Sequence, residues 1–202
     1  MAQARTSFLE AVNRVLQMMG EAPVNSLDGQ YGLGQQAQDA LNSTSRQVQA
    51  DSWSFNTDRQ RLLQRNQDNE IQVGVNVVRV VVDALQYPAT DVVQRGDRLY
   101  DRKAGSYEFS IDLHADVTYA LEWDELPEYA RQYITVRAGR ILQESILGSA
   151  DLTRINQQQE AEVRAMFMDE ETAVNDHSMI GGNPNNTVGF VPYMPTSALR
   201  RR

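Results

Sequence analysis

The chain contains no cysteine, which removes disulfide frameworks, thiolate metal sites and cysteine nucleophiles together. It is almost as poor in histidine, with only His114 and His177, far apart in sequence. No stretch approaches the roughly 20 apolar residues needed to span a bilayer, so no membrane insertion is expected. The opening MAQARTSFLE has no apolar run of the kind a secretory signal needs, because Glu10 and Asn13 interrupt it. Catalytic signatures are equally scarce: there is no HExxH, no EF-hand spacing and no nucleophile elbow. Gly29, Gly32 and Gly34 spell GQYGLG, yet neither a preceding strand nor a following lysine makes a phosphate cradle of it. These glycines read as a turn between helices. The chain is therefore not read as an enzyme, and no cofactor or metal is expected.

With 202 residues, 41% of them hydrophobic, the chain is long and apolar enough to bury a real core. Its net charge of −8 is unevenly spread. The last 27 residues hold one acid, Asp176, and three arginines, Arg200 to Arg202, so the remainder carries a net −10. A body that acidic is poorly suited to gripping a nucleic-acid backbone, which needs clustered Lys and Arg. It suits a wall past which DNA slides, or simply a soluble surface.

Periodicity divides the chain into blocks. Ser7-x-x-Glu10 has the form of a capping box, and Phe8, Leu9, Val12, Val15, Leu16 and Met19 follow on one helical face until Gly20. A second helix is expected over about 35–50, with Ala37, Ala40, Leu41, Thr44 and Val48 inward. From Trp53 the period becomes that of strands. Ile71, Val73, Val75 and Val77 alternate with polar residues and continue into Val78–Val82. Tyr107, Phe109, Ile111 and Leu113 alternate likewise, and Val117, Tyr119 and Leu121 extend them after a turn expected at Ala115-Asp116. Asn66–Glu70 and Arg95-Gly96-Asp97-Arg98 read as turns. Helical spacing returns after Pro127, with Tyr129, Ala130, Tyr133, Ile134, Ala138, Ile141 and Leu142 inward, and Gly148 closes that helix. A last helix over about 150–174 should turn Leu152, Ile155, Val163, Met166 and Phe167 inward.

The fold class predicted is α+β: a four-helix bundle with an antiparallel β-rich domain inserted between the second and third helices, and an extended C-terminal tail. The boundaries read as 1–52 and 123–175 for the bundle, 53–122 for the insertion and 176–202 for the tail. Pro184, Pro192 and Pro195 forbid regular helix in that tail, while Phe190, Val191, Tyr193, Met194 and Leu199 are too apolar for a solvating segment. It reads as a docking tail.

The ordered set LEWDELPEYARQYITVRAGRILQESILG (121–148), FLEAVNRVLQMMGEAPV (8–24), Trp53-Ser-Phe-Asn and Leu99-Tyr-Asp-Arg resembles one family, the tail tubular protein A of T7-like short-tailed phages. The resemblance spans roughly residues 6 to 170. It implies a structural virion protein of the podovirus head–tail junction, assembled in the host cytoplasm. Such a protein is an adaptor ring of twelve copies that binds the portal above and the nozzle protein below. Tail fibres attach nearby, and genomic DNA passes transiently through its channel during ejection.

The residues themselves offer two further sets of candidates. Glu122, Asp124, Glu125 and Glu128 lie at a strand-to-helix junction, where two carboxylates could hydrolyse a glycoside of the cell envelope. The competing reading is charge complementarity at a helix start. Arg131, Arg137 and Arg140, with Glu144, read as salt bridges between helices or subunits. Together with Phe190, Tyr193, Met194 and Leu199 they are the interface candidates. A nucleic-acid-binding regulator, supported only by Arg200–Arg202, conflicts with the acidic body.

Overall fold

Ser7 starts the first helix by the mechanism its spacing predicts. Its hydroxyl accepts from the Glu10 amide while the Glu10 carboxylate accepts from the Ser7 amide. The computed structural model describes residues 5–29, 31–148 and 150–175. Helix α1 (Phe8–Met18) ends in a Schellman motif: the Gly20 amide donates to Gln17 and that of Glu21 to Leu16, with Gly20 left-handed at φ 77°. Helices α2 (Leu33–Gln49), α3 (Glu128–Leu147) and α4 (Ala150–Asn175) follow, the last two separated from the first two by five strands. Gly148, at φ 58°, ends α3 as expected.

Helix α3 packs against α1, α2 and α4, and is buried on most of its circumference. Its Ala130, Tyr133, Ile134, Ala138 and Leu142 meet Val12, Val15 and Leu16 of α1 and Ala37, Leu41 and Val48 of α2 in one core. Gly139 is where α1 comes closest: a Cβ there would run into the Met18 thioether. Helix α4 touches this body along a narrow stripe, Glu160, Val163, Phe167 and Glu171, at helical spacing.

The strands are β1 (Thr57–Leu63), β2 (Val77–Val82), β3 (Val92–Arg95), β4 (Arg98–Asp101) and β5 (Leu113–Tyr119). They form a three-stranded antiparallel sheet in the order β1-β5-β2 and a separate hairpin of β3 with β4. The last strand in sequence is thus the central one. The hairpin turns at Gly96-Asp97 as the sequence predicts, with Gly96 at φ 64°, the sign a type II′ turn requires at its first central residue. A bulge between Asp58 and Arg61 puts Gln60 at φ 53° and breaks the ladder of the free edge strand β1, which discourages edge-to-edge pairing. A second core gathers here, around Ile71, Leu99, Phe109, Leu113 and Val117.

Several expectations fail for identifiable reasons. The strand expected over 71–82 begins only at Val77. Gly74 accepts from the Val77 amide in a tight turn, so Ile71 and Val73 are buried while Val75 is 100% exposed. The strand expected from Tyr107 begins only at Leu113. The Arg65 guanidinium donates to the Phe109 and Ser110 carbonyls and to the Asp112 carboxylate, taking the place of a neighbouring strand and leaving Ile111 exposed. No turn forms at Ala115-Asp116. Both lie within β5, where Ala115 is buried and the Asp116 carboxylate accepts from the Gln60 amide at the bulge. Ile141 and Met166 face outward, Met166 being 63% exposed, because each sits off the stripe its helix buries. The side chains of Leu152 and Ile155, and the whole tail from Asp176, lie outside the described residues.

Candidate functional site

The acidic junction is built as a cap. A 3-10 turn (Trp123–Glu125) precedes α3, and Glu122 and Glu125 form a reciprocal capping box across it. Glu128 accepts from the Thr6 amide at 2.9 Å and the Thr6 hydroxyl at 2.6 Å, tying the start of α3 to the segment before α1. Burial pulls the Glu128 carboxyl upward, but the two Thr6 hydrogen bonds outweigh it and hold it below the usual carboxylate range. A glycosidase acid needs the opposite shift. Asp124 contributes its backbone carbonyl to Arg131 and is exposed. The arrangement does what a helix start needs, and among the described residues no group of three acids or histidines is placed to hold a metal.

This carboxylate chemistry gives a pH dependence. Asp101, raised by burial but lowered further by the Asp91 and Lys103 amides, and Asp112, lowered by Arg65, share the downward shift. Groups whose native pKa is depressed favour the folded state above the unfolded values, about 3.9 to 4.3, and lose that contribution as pH falls toward the native ones. Tm is therefore expected to be flat near neutrality and to fall from about pH 5 downward. Glu128→Gln should lower Tm at pH 7 and make the acid-side fall shallower. A parallel fall in both proteins would remove Glu128 from this account.

The arginines have separate fates. Arg131 is 3% exposed and donates to the carbonyls of Thr6, Asp124 and Leu126, inside its own chain. Arg137 donates to the Tyr133 hydroxyl and lies 4.0 Å from Glu160. Arg140 pairs with Glu144 on its own helix and with Glu160 of α4. These bridges join two helices of one chain. Phe190, Tyr193, Met194 and Leu199, like His177, lie outside the described residues. His114 is half-buried, with its ring against the Tyr87 hydroxyl at 3.1 Å.

Sequence reasoning missed the polar groups at the crossing between helices and sheet. Gln49, the last residue of α2, is buried, and its side chain pairs with both the N–H and the C=O of Leu121 at 2.6 and 3.1 Å. The Asn56 amide donates to the carbonyls of Gln49 and Tyr119. The two chain crossings are thus clamped by two amide side chains. Gln49→Leu would leave both Leu121 groups unpaired, and an expected loss of about 2–4 kcal/mol in urea unfolding follows. A loss below about 0.5 kcal/mol would mean water replaces the clamp. Glu171 was also missed: it is buried and accepts from the Tyr129 hydroxyl at 2.8 Å and the Ser54 amide at 2.9 Å. Burial, and then this carboxylate, push the Tyr129 phenol well up, so it stays a donor. The only sequence signal for these was a polar residue at a position the helical stripe would bury.

Between the helices and the outer face of the sheet lies an open groove of about 660 Å³, lined by Trp53, Thr57, Arg79, Val81, Met168 and Thr172 among others. Among the described residues, no helix is long and apolar enough to cross a membrane. A family model described as tail tubular protein matches residues 9–177. No curated protein matches the chain.

Proposed function

The chain belongs to the tail tubular protein family, a structural component of the virion tail, and on that premise we propose that it is the adaptor ring between portal and nozzle. The observation that carries this is the match over residues 9–177, which takes in all four helices but for the first residue of α1, and all five strands. In this reading the helices form a bundle that makes the ring, and residues 53–122 are a β-rich domain inserted into it that projects outward. Copies associate head to tail, because a ring needs two different lateral faces related by a closing rotation. Twelve copies, with tail fibres attached nearby, is the arrangement the resemblance implies. The acidic body faces the path of the DNA, repelling phosphate so that the genome slides during ejection. Residues 183–202 dock on the portal or an adjacent subunit as the ring assembles. Arg137, Arg140 and Glu144, only partly buried, remain candidates for lateral contact.

The test is the solution mass of the 22.8 kDa chain, alone and with the portal protein of the same virus. A closed discrete oligomer in either sample is expected, and a chain ending at Gly182 should dock less well. A monomer that ignores the portal would overturn the adaptor reading. Normal docking by the shortened chain would overturn the role given to the tail alone.

A further inference from the structure

The groove below α4 is half-built. Its floor is the outer face of the three-stranded sheet, contributed by Thr57 and Arg59 of β1, Asp116 and Thr118 of β5, and Arg79 and Val81 of β2. Its wall is Trp53 with Met168, Glu171 and Thr172 of α4. The opposite face of the same sheet is closed over the second core, whereas on this face Val81 is 46% exposed and Met168 42%. The two acids in the groove are already engaged, Asp116 by the Gln60 amide and Glu171 by Tyr129 and Ser54. Arg79, by contrast, has no hydrogen bond or ion pair among the described residues. An exposed apolar strip beside an unpaired guanidinium fits a short segment carrying apolar side chains and one carboxylate.

We propose that the chain's own residues 176–180, Asp-His-Ser-Met-Ile, occupy this groove, with the Asp176 carboxylate on Arg79 and Met179 and Ile180 over Val81 and Met168. Three observations select this occupant. Thr172 lines the groove and α4 ends at Asn175, so the chain leaves the helix at the groove's rim and no connecting loop has to be closed. Five extended residues reach about 17 Å, enough to cross from the helix over neighbouring strands spaced about 5 Å apart. Asp176 is the single acid in the last 27 residues, and it is the first of them. The docked segment closes the open face of the sheet and fixes the direction in which residues 183–202 leave the body. It does not depend on the ring reading, since it is an event within one chain.

Hydrogen exchange on the full chain tests it. Amides of 176–180 should exchange at least about tenfold more slowly than those of 183–189, at a concentration where the protein is monomeric or fully assembled alike. Arg79→Glu and Asp176→Arg should each abolish that difference, and the double variant should restore it. Arg79 is exposed, so its replacement should leave the Tm of the body within a degree or two. Free exchange of 176–180 in the unaltered chain would overturn the proposal. So would protection that appears only as concentration rises, which would assign the groove to another copy's segment. Protection insensitive to both charge changes would overturn the Asp176–Arg79 pairing on which the placement rests.

Discussion

Truncating Phe167 to alanine is expected to destabilise the protein by about 3–5 kcal/mol, the range for removing a fully buried aromatic from a packed core. Phe167 is 1% exposed and is surrounded by other rings. It stacks on Tyr133 at 5.1 Å and meets Trp53 edge-on at 4.6 Å, with Tyr129 and Phe55 at 5.6 and 6.5 Å. Tyr129 and Tyr133 belong to α3, while Trp53 and Phe55 lie where the chain passes from α2 into β1. One side chain of α4 therefore holds together the helix below it and the crossing to the sheet. The only other buried residue of α4 is Glu171, whose partners Tyr129 and Ser54 are part of the same neighbourhood. Losing the ring should release α4 before the rest unfolds. Urea unfolding would then show the loss of stability, and hydrogen exchange would show α4 amides deprotected ahead of those of α1 and α2. A loss under about 1 kcal/mol would mean that α4 is held chiefly by the Arg140–Glu160 bridge.

Residues whose neighbours in sequence determine their environment were legible without the structure. The Ser7–Glu10 box, the Gly20 and Gly148 stops and the Gly96-Asp97 hairpin all satisfy their backbone groups locally, so the residue types announce the geometry. Buried stripes on α1 and α2 were legible for the same reason: their period is that of the helix. Legibility failed where a distant side chain took over a backbone group. Nothing near Ile111 in sequence says that Arg65 will satisfy the carbonyls before it, and nothing near Leu121 says that Gln49 will pair with it as a strand would. Alternation in 71–77 was misleading because Gly74 reset the chain's direction between two residues that remain buried and one that does not. At the candidate site, the carboxylates of the junction read correctly as helix-start chemistry. The arginines of α3 read correctly as a group that bridges helices, except for Arg131, whose burial depends on a turn and an N-terminal segment that period alone does not place.

Arg131 is the sharper test of how that junction is held. Its guanidinium is buried and donates from Nε to Leu126, from one terminal nitrogen to Thr6 and from the other to Asp124, at 2.9, 2.7 and 2.8 Å. The planar fork thus joins the segment before α1, the acidic turn and the start of α3, with the Glu128 charge nearby. The Thr6 carbonyl also accepts from the Trp123 indole, and Trp123 stands edge-on to Phe8. Removing the fork leaves buried carbonyls without donors, each costing about 1–3 kcal/mol, so Arg131→Ala is expected to lose about 3–5 kcal/mol in total. Arg131→Lys keeps the charge, but a compact ammonium on a flexible stem does not reproduce three divergent planar donors, and most of the loss should remain. The pair of variants separates two roles. A residue acting within its own chain lowers Tm equally whether the protein is dispersed or assembled. A residue acting between copies leaves the dispersed chain's Tm unchanged and shifts only the concentration at which the oligomer forms. The carbonyl cage requires the first outcome for Arg131. The second would return Arg131 to the lateral contacts for which Arg137 and Arg140 remain the better candidates.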